Sequence, residues 1–297
     1  VVGSAHSDTL ESRFSIQKGP ETSVTNMIRQ ALILAAGMGT RIRAGGSDVP
    51  KPLHTVLGQP LLKRTIMSLA NAGVTRIGVV VGYRAELIRA AVESEPEYAL
   101  RGLQIDIIEN PDYEKSNGVS VLVARPHFDG PFLLTMADHV FDDGLAERAA
   151  MADMSVADLH LCVDYRLAEV YDMEDATKVS TVDGPYIGTI SKTLTNYDCV
   201  DCGVFAVSSA LLDELAQVYQ ERGDCSLSDG VAQLASKRRA RVLDIGEYFW
   251  QDVDTQPARE RAEMILGGRD ANDLPAFVAD NASADNASAT LPDRSTS

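Results

Sequence analysis

Long apolar runs are missing from this 297-residue chain. No stretch approaches the roughly 18 apolar residues that a membrane-crossing helix needs, so the sequence predicts no membrane span. Residues 1–18 lack a basic segment followed by a continuous apolar core, the pattern of an export signal, and the expectation is a cytoplasmic protein. Positive charge is scarce too. The 27 Lys and Arg stand against 43 Asp and Glu, for a net charge of -16. A surface that acidic repels phosphate backbones and anionic lipid, so nucleic acid is not an expected partner. The single basic cluster, Lys237-Arg238-Arg239-Ala240-Arg241, comes after a helical pattern and reads as a solvated helix end. Cys199 and Cys202 form a lone C-x-x-C with no second close pair of Cys or His. That excludes an ordinary structural zinc site, and the thiols are read as idle.

Composition divides the chain three ways. Residues 1–27 are mixed and polar without period and read as a flexible arm. Residues 28–266 read as the folded domain, and residues 267–297 as a disordered acidic tail of small polar residues. Within the domain, strand-like runs at 31–35, 76–81, 103–108 and 131–136 alternate with helical spacing at 61–72, 85–94 and 119–124. Such alternation predicts an α/β protein with a Rossmann-like mixed sheet, mostly parallel, covered on both faces. After a strand at 158–163 the pattern changes. Runs at 177–182 and 186–191 flank Asp183-Gly184-Pro185, which reads as a hairpin turn. A strand at 203–207 and helices at 209–220 and 228–235 complete a mixed second half. Ligands of such sheets bind beyond the carboxyl ends of the strands.

One loop stands at such an end. Ala35 and Ala36 lead into Gly37-Met38-Gly39-Thr40-Arg41. The dinucleotide fingerprint would need a third small residue, and Ile42 stands there. The Walker pattern would need a Gly-Lys-Ser/Thr step, which is absent. Downstream of the loop stands Pro50-Lys51-Pro52. Glycines let backbone N–H groups approach phosphates. Arg41 could fork onto the β- and γ-oxygens of a triphosphate, and Lys51 could set a point charge on the α-phosphate. Two carboxylates, Asp138 and Asp254, each come after a strand-like run, and such a pair with phosphate oxygens suits Mg²⁺. Asp252 competes for the second place, and a turn or helix-cap role is the alternative for Asp138. His139 is read as a hydrogen-bonding neighbour of the site and His54 as structural.

Gly-x-Gly-Thr-Arg with Pro-Lys-Pro after it resembles the nucleotidyltransferases that activate sugar phosphates and phospho-alcohols. The later motifs, Asp175-Ala176-Thr177-Lys178, Asp198-Cys199-Val200-Asp201 and Trp250-Gln251-Asp252-Val253-Asp254, are most similar to the CTP:inositol-1-phosphate cytidylyltransferase family, over about residues 28–266. The resemblance implies cytidylyl transfer from CTP to a small phosphorylated alcohol with release of pyrophosphate, inositol 1-phosphate being the best single acceptor. It implies Arg41 and Lys51 as catalytic residues, and Mg²⁺ held by Asp138 and Asp254. Ala35, Ala36, Gly37, Gly39 and Thr40 would hold the nucleotide, with its base laid at Gly82 and Tyr83. Lys178 would hold the acceptor, with Lys192, Asn117 and Asp201 as further candidates. Asn117 reads equally as a helix cap, Asp201 as a turn residue and Lys192 as an edge-strand lysine.

The segment at 43–49 is longer than its counterpart in that family and is expected to be a lid over the triphosphate. Cys202 stands where a small hydroxyl residue is common. Phosphocholine, an aminoalkyl phosphonate or a sugar 1-phosphate remain alternative acceptors, with UTP or GTP as alternative donors. A homodimer and a separate membrane CDP-alcohol transferase acting downstream are the partners the resemblance suggests. A catalytically silent nucleotide-binding regulator would be favoured if Arg41, Lys51 or the carboxylates were missing, and all are present.

Overall fold

The computed structural model of the protein describes residues 27–39 and 48–272. The first half runs β1 (Gln30–Ala35), a short hairpin of β2 (Thr55–Val56) and β3 (Gln59–Pro60), α1 (Leu61–Asn71), β4 (Arg76–Val81), α2 (Ala85–Glu93), α3 (Pro96–Leu100) and β5 (Gln104–Glu109). Then come α4 (Asn117–Leu122), β6 (Phe132–Met136), β7 (His139–Phe141) and α5 (Asp143–Ala150). The second half runs β8 (Leu159–Asp164), β9 (Lys178–Val182), β10 (Tyr186–Ser191), β11 (Cys199–Val207), α6 (Ser209–Arg222) and α7 (Leu227–Ser236). It closes with β12 (Ala240–Asp244), β13 (Trp250–Asp252) and α8 (Gln256–Asn272).

These strands build one nine-stranded sheet ordered β5-β4-β1-β6-β11-β8-β12-β10-β9. β1 pairs in parallel with β4 on one side and β6 on the other, and β4 pairs in parallel with β5. β11 runs antiparallel between β6 and β8, and β12 is parallel to β8. The carboxyl ends of β4, β1, β6 and β8 therefore open on one edge. The chain leaves β1 toward β4 and β5, then returns to β6 on the far side. Helices leaving adjacent strands in opposite directions part there and leave a crevice. This is the mixed Rossmann-like sheet that the alternation predicted, parallel through β5, β4, β1 and β6 and with antiparallel pairings beyond β6.

Period-2 patterning explains why the central strands read as unbroken apolar runs. In β1, Leu32 faces a core shared with α4, α6 and α7, whereas Ala31, Ile33 and Ala35 face one shared with α1, α2 and α5. In β6, Phe132 and Leu134 take the first side and Leu133 the second. A strand buried on both faces has no polar side to show. The same alternation separates Cys199 and Cys202, which face opposite sides of the sheet. Side chains on opposite faces cannot reach the Cβ separation of a disulfide. All four cysteines are free and buried, and burial pushes the Cys162 and Cys199 thiols up to about 12.

Local signals fix the helix ends. The Ser208 hydroxyl accepts from Ala210 N–H at 3.2 Å to open α6, which stops at Gly223 with a φ of 73°. Ser226 and Asp229 form a reciprocal capping box that opens α7. The basic cluster after α7 is engaged in ion pairs: Lys237 with Glu214 at 2.6 Å, Arg238 with Asp183 at 2.7 Å and Arg239 with Asp158 at 2.5 Å. The last helix continues through Gly267 to Asn272, beyond the expected domain boundary. The rest of the tail, and the arm up to residue 26, lie outside the described residues. No described helix is long and apolar enough to cross a membrane.

α4 approaches the start of α7 closely. A Cβ on Gly118 would lie 2.5 Å from the Cys225 carbonyl oxygen. In an exposed helix, Gly→Ala gains about 1 kcal/mol. Here it must push backbone against backbone, so Gly118→Ala is expected to lose about 1–3 kcal/mol. Urea unfolding checks this: the midpoint should fall at constant slope, and a rise would show that the two helices are free to separate.

Candidate active site

A cleft of about 560 Å³ opens at the carboxyl edge of the sheet, within the range usual for small-molecule sites. Ala36 and Gly37, just past β1, line one end. A Cβ on Gly37 would meet nothing within 4 Å, whereas one on Gly39, at a φ of 57°, would lie 2.8 Å from Lys51 Cβ. The second glycine thus lets the loop lie against the lysine. Thr40, Arg41 and most of the expected lid (residues 43–47) lie outside the described residues.

Lys51 sits in a short 3-10 turn, Lys51–Leu53, with Pro50 before it and Pro52 within it. Its side chain is only 7% exposed. The ammonium donates to Asp138 Oδ2 at 2.7 Å and to Asp252 Oδ1 at 3.4 Å, and is paired with Asp254 as well. Asp138 comes just after β6. Asp252 ends β13, and Asp254 comes two residues later. The β13–β7 pairing, with Asp252 opposite His139, brings the two chain segments together. His139 Nδ1 lies 2.8 Å from Asp138 Oδ1, the hydrogen-bonding neighbour expected from sequence. His54 likewise bonds the Val49 carbonyl at 3.1 Å.

Electrostatics set these groups apart. Burial would raise the Asp138 carboxyl, but the Lys51 ammonium and the His139 hydrogen bond outweigh it and hold it well below its usual range. Burial would lower His139, yet its bond to Asp138 and the Asp252 charge raise it. Asp252 is pushed up by burial and by the Asp138 charge, against the pull of His139 and Lys51. Ligand atoms of Asp175, Asp252 and Asp254 lie within 4.8 Å of one another, as do those of Asp138, His139 and Asp252. One ammonium does not balance three carboxylates. An oxygen-rich, net-negative group of this kind fits a hard divalent cation.

The other end of the cleft is formed by β11 and β8. The β11–β8 register shifts between Asp201 and Phe205. Within this bulge Gly203 takes a φ of 74°, and a Cβ there would lie 2.6 Å from His139. Asp201 Oδ1 accepts from Gly203 N–H at 2.7 Å, so its turn role and its place in the cleft coexist. Burial pushes its carboxyl up to about 6. Lys192 also lines the cleft, on Asp175 at 2.9 Å. Asn117 lines it while its Oδ1 caps α7 rather than its own helix, accepting from Leu227 N–H at 2.9 Å.

Several expected positions do not line the cleft itself: Ala35 is buried in the core with α1, α2 and α5, and Gly39 and Lys51 pack on each other beside it. Lys178 is buried with its ammonium on the Glu174 carbonyl at 3.0 Å and does not line the cleft. Gly82 and Tyr83 do not line it either. Tyr113 packs where a Cβ on Gly82 would stand, and it is Tyr113 that reaches the cleft.

Sequence reading missed a second network. Buried Asp164 at the end of β8 is held by Arg166 through two bonds of 3.0 Å and by Trp250 Nε1 at 2.9 Å. Beside it, Arg261 of α8 donates to Gln251 Oε1 and to the Glu169 carbonyl. The available signal was the apolar spacing Ala258, Ala262, Ile265, which marks one face of a helix.

A model of the MobA-like NTP transferase domain matches residues 31–237. A bifunctional IPC transferase and DIPP synthase of Rubrobacter xylanophilus is 36% identical over 80% of this chain and 52% of its own length. A CMP-5'-(3-aminopropyl)phosphonate synthase of Streptomyces rubellomurinus is 32% identical over 79% of this chain and 38% of its own. The chain spans about half the length, or less, of these curated relatives. The solved inositol-1-phosphate CTP transferase from T. maritima superposes with a TM-score of 0.70 at 26% identity, covering 82% of this chain and 98% of the other. With its glycine loop at the switch point of the sheet and a family match across most of the domain, the chain belongs to the MobA-like NTP transferase family of nucleotidyltransferases.

Proposed function

We propose that this chain transfers the cytidylyl group of CTP to inositol 1-phosphate and releases pyrophosphate. The observation that carries the reading is the buried Lys51 ammonium among Asp138, Asp252 and Asp254, directly beside the glycine loop. The names of the relatives in Rubrobacter and T. maritima support the donor and the acceptor.

The reaction is an in-line displacement at the α-phosphorus. The acceptor phosphate is already a competent nucleophile, so no strong base is required and the work lies in positioning and charge. Backbone N–H groups of Gly37 and Gly39 meet the triphosphate. Lys51 stabilises charge on the α-phosphate, and Arg41 holds the departing pyrophosphate. Asp138 and Asp254, with Asp252 beside them around Lys51, are the residues that would hold Mg²⁺, which would supply charge neutralisation at phosphate oxygens. The acceptor lies at the β11–β8 end, where Asp201 offers a carboxyl to the hydroxyls of a cyclic polyol. The relative in Streptomyces supports a second reading, an aminoalkyl phosphonate acceptor, because carboxylates lining the cleft would also welcome an ammonium group. Either reaction implies a cytoplasmic setting supplied with CTP and Mg²⁺, and a CDP- or CMP-activated product.

Pyrophosphate release tests this, with CTP, UTP, GTP and dTTP crossed against inositol 1-phosphate, phosphocholine, 2-aminoethylphosphonate and glucose 1-phosphate. Release with CTP and inositol 1-phosphate is expected. Release only with another nucleotide would sink the cytidylyl assignment while keeping the mechanism. Lys51→Ala should lower kcat by about 10²- to 10³-fold, the usual loss for one such electrostatic contact.

Metal binding has a separate readout. Lys51→Met removes the cation that competes for the carboxylates, so Mg²⁺ should raise its melting temperature more than it raises that of the wild type. The same gain in both, or a gain that survives Asp138→Asn, would put the ion elsewhere.

A further inference from the structure

Arg261 comes from α8, beyond the residues matched by the family model. The helix is seated by a small apolar cluster of its own. Ala262 is buried with Val56, Leu61, Val140, Phe249 and Val253, and Ile265 and Leu266 pack against them. That seat turns Arg261 into the cleft, which it lines.

The cations around this cleft are engaged in different ways. Lys51 is held by its three carboxylates, Lys192 by Asp175 at 2.9 Å, and Lys115 by Asp112 at 3.4 Å. Arg166 is divided between Asp164 at 3.0 Å and Glu169 at 3.4 Å. Arg261 differs. Its guanidinium donates to the Gln251 side-chain oxygen, donates to the Glu169 carbonyl at 3.2 Å and lies over the Tyr171 ring at 5.4 Å. Each of these partners is neutral. Among the described residues no carboxylate lies within ion-pair distance of it.

A guanidinium held by neutral acceptors keeps its full charge for a ligand. Two of its five N–H groups are engaged, and the rest form part of a planar fork that matches phosphate. Its aim is fixed in advance. Gln251 is 4% exposed, and its own amide donates to the Ala258 carbonyl, which leaves the amide oxygen facing Arg261. Gln251 is also the residue before Asp252, one of the carboxylates around Lys51. Strand order adds the direction. Along the edge of the sheet the glycine loop comes after β1, Asp138 after β6, and Glu169 after β8. Arg261 therefore stands across the carboxylates from the loop that holds the triphosphate.

We infer that Arg261 binds the phosphate of the acceptor, the role that the sequence alone assigned first to Lys178. The inference rests on the nucleotidyl-transfer reading above. Its substrate class is a phosphomonoester or phosphonate dianion, whatever alcohol that group carries.

Steady-state kinetics of the full chain test it with Arg261→Gln and Arg261→Lys. Losing one charge-assisted contact to phosphate corresponds to a rise of about 10- to 100-fold in the acceptor KM. The Gln variant should show that rise with its CTP KM within about twofold of wild type. The Lys variant, which keeps the charge and loses the fork, should recover part of it. An unchanged acceptor KM, or equal rises for CTP and acceptor, overturns the inference. A lower melting temperature with unchanged KM would make Arg261 a strut between α8 and β13. Failure of the broader reading is seen separately, as a wild type that turns over no acceptor. In that event calorimetric titration of inorganic phosphate at saturating CTP still decides: binding to wild type that Arg261→Gln loses supports the anion site, and equal binding removes it.

Discussion

Three carboxylates meet at one ammonium group, and they come from segments far apart in the chain. Lys51 lies 87 residues from Asp138 and 201 from Asp252. Each partner is a costly group to bury alone. Together they satisfy one another only when the turn at Pro50–Pro52, the end of β6 and the end of β13 are all in place. The short β13–β7 pairing and the apolar cluster under α8 exist around this meeting point. Removing the lysine would leave like charges facing each other, so the cluster that organises the cleft also has the charge that suits a divalent ion.

The sheet supplies the second constraint. Because β1 lies between β4 and β6, the loop after β1 has open space above it. The antiparallel insertion of β11 then moves β8 one place outward, so the cleft extends from the loop after β1 to the ends of β11 and β8. The bulge at Gly203 belongs to the same adjustment. It inserts two extra residues on β11 relative to β8, with Asp201 facing the cleft and room left for the His139 ring.

Much of this was legible in the sequence, and for physical reasons. Strands buried on both faces announce themselves as apolar runs. Glycines and prolines announce a loop that must approach something closely. Asp138 and Asp254 could be expected at the cleft because each comes just after a strand. Lys178 could not be placed, because its motif fixes its position in the chain but not its side chain, which folds back to the Glu174 carbonyl as β9 begins. Arg261 and Trp250 were missed because their partners at Glu169 and Asp164 belong to the end of another strand and the loop beyond it. Only the packing of α8 and β13 brings them together. Tyr113, not Gly82 or Tyr83, reaches the cleft for a similar reason: a glycine just past a strand often marks the space that another side chain takes.

The buried cysteines carry a practical consequence. Cys225 lies where α4 meets the start of α7, and Cys199 and Cys202 lie on opposite faces of β11. With every thiol enclosed and its ionisation suppressed, alkylating reagents reach them only when the protein opens. The chain thus carries four internal clocks of local unfolding, one at a helix contact and the others on both sides of the sheet. The order in which they are labelled would read out which layer parts first.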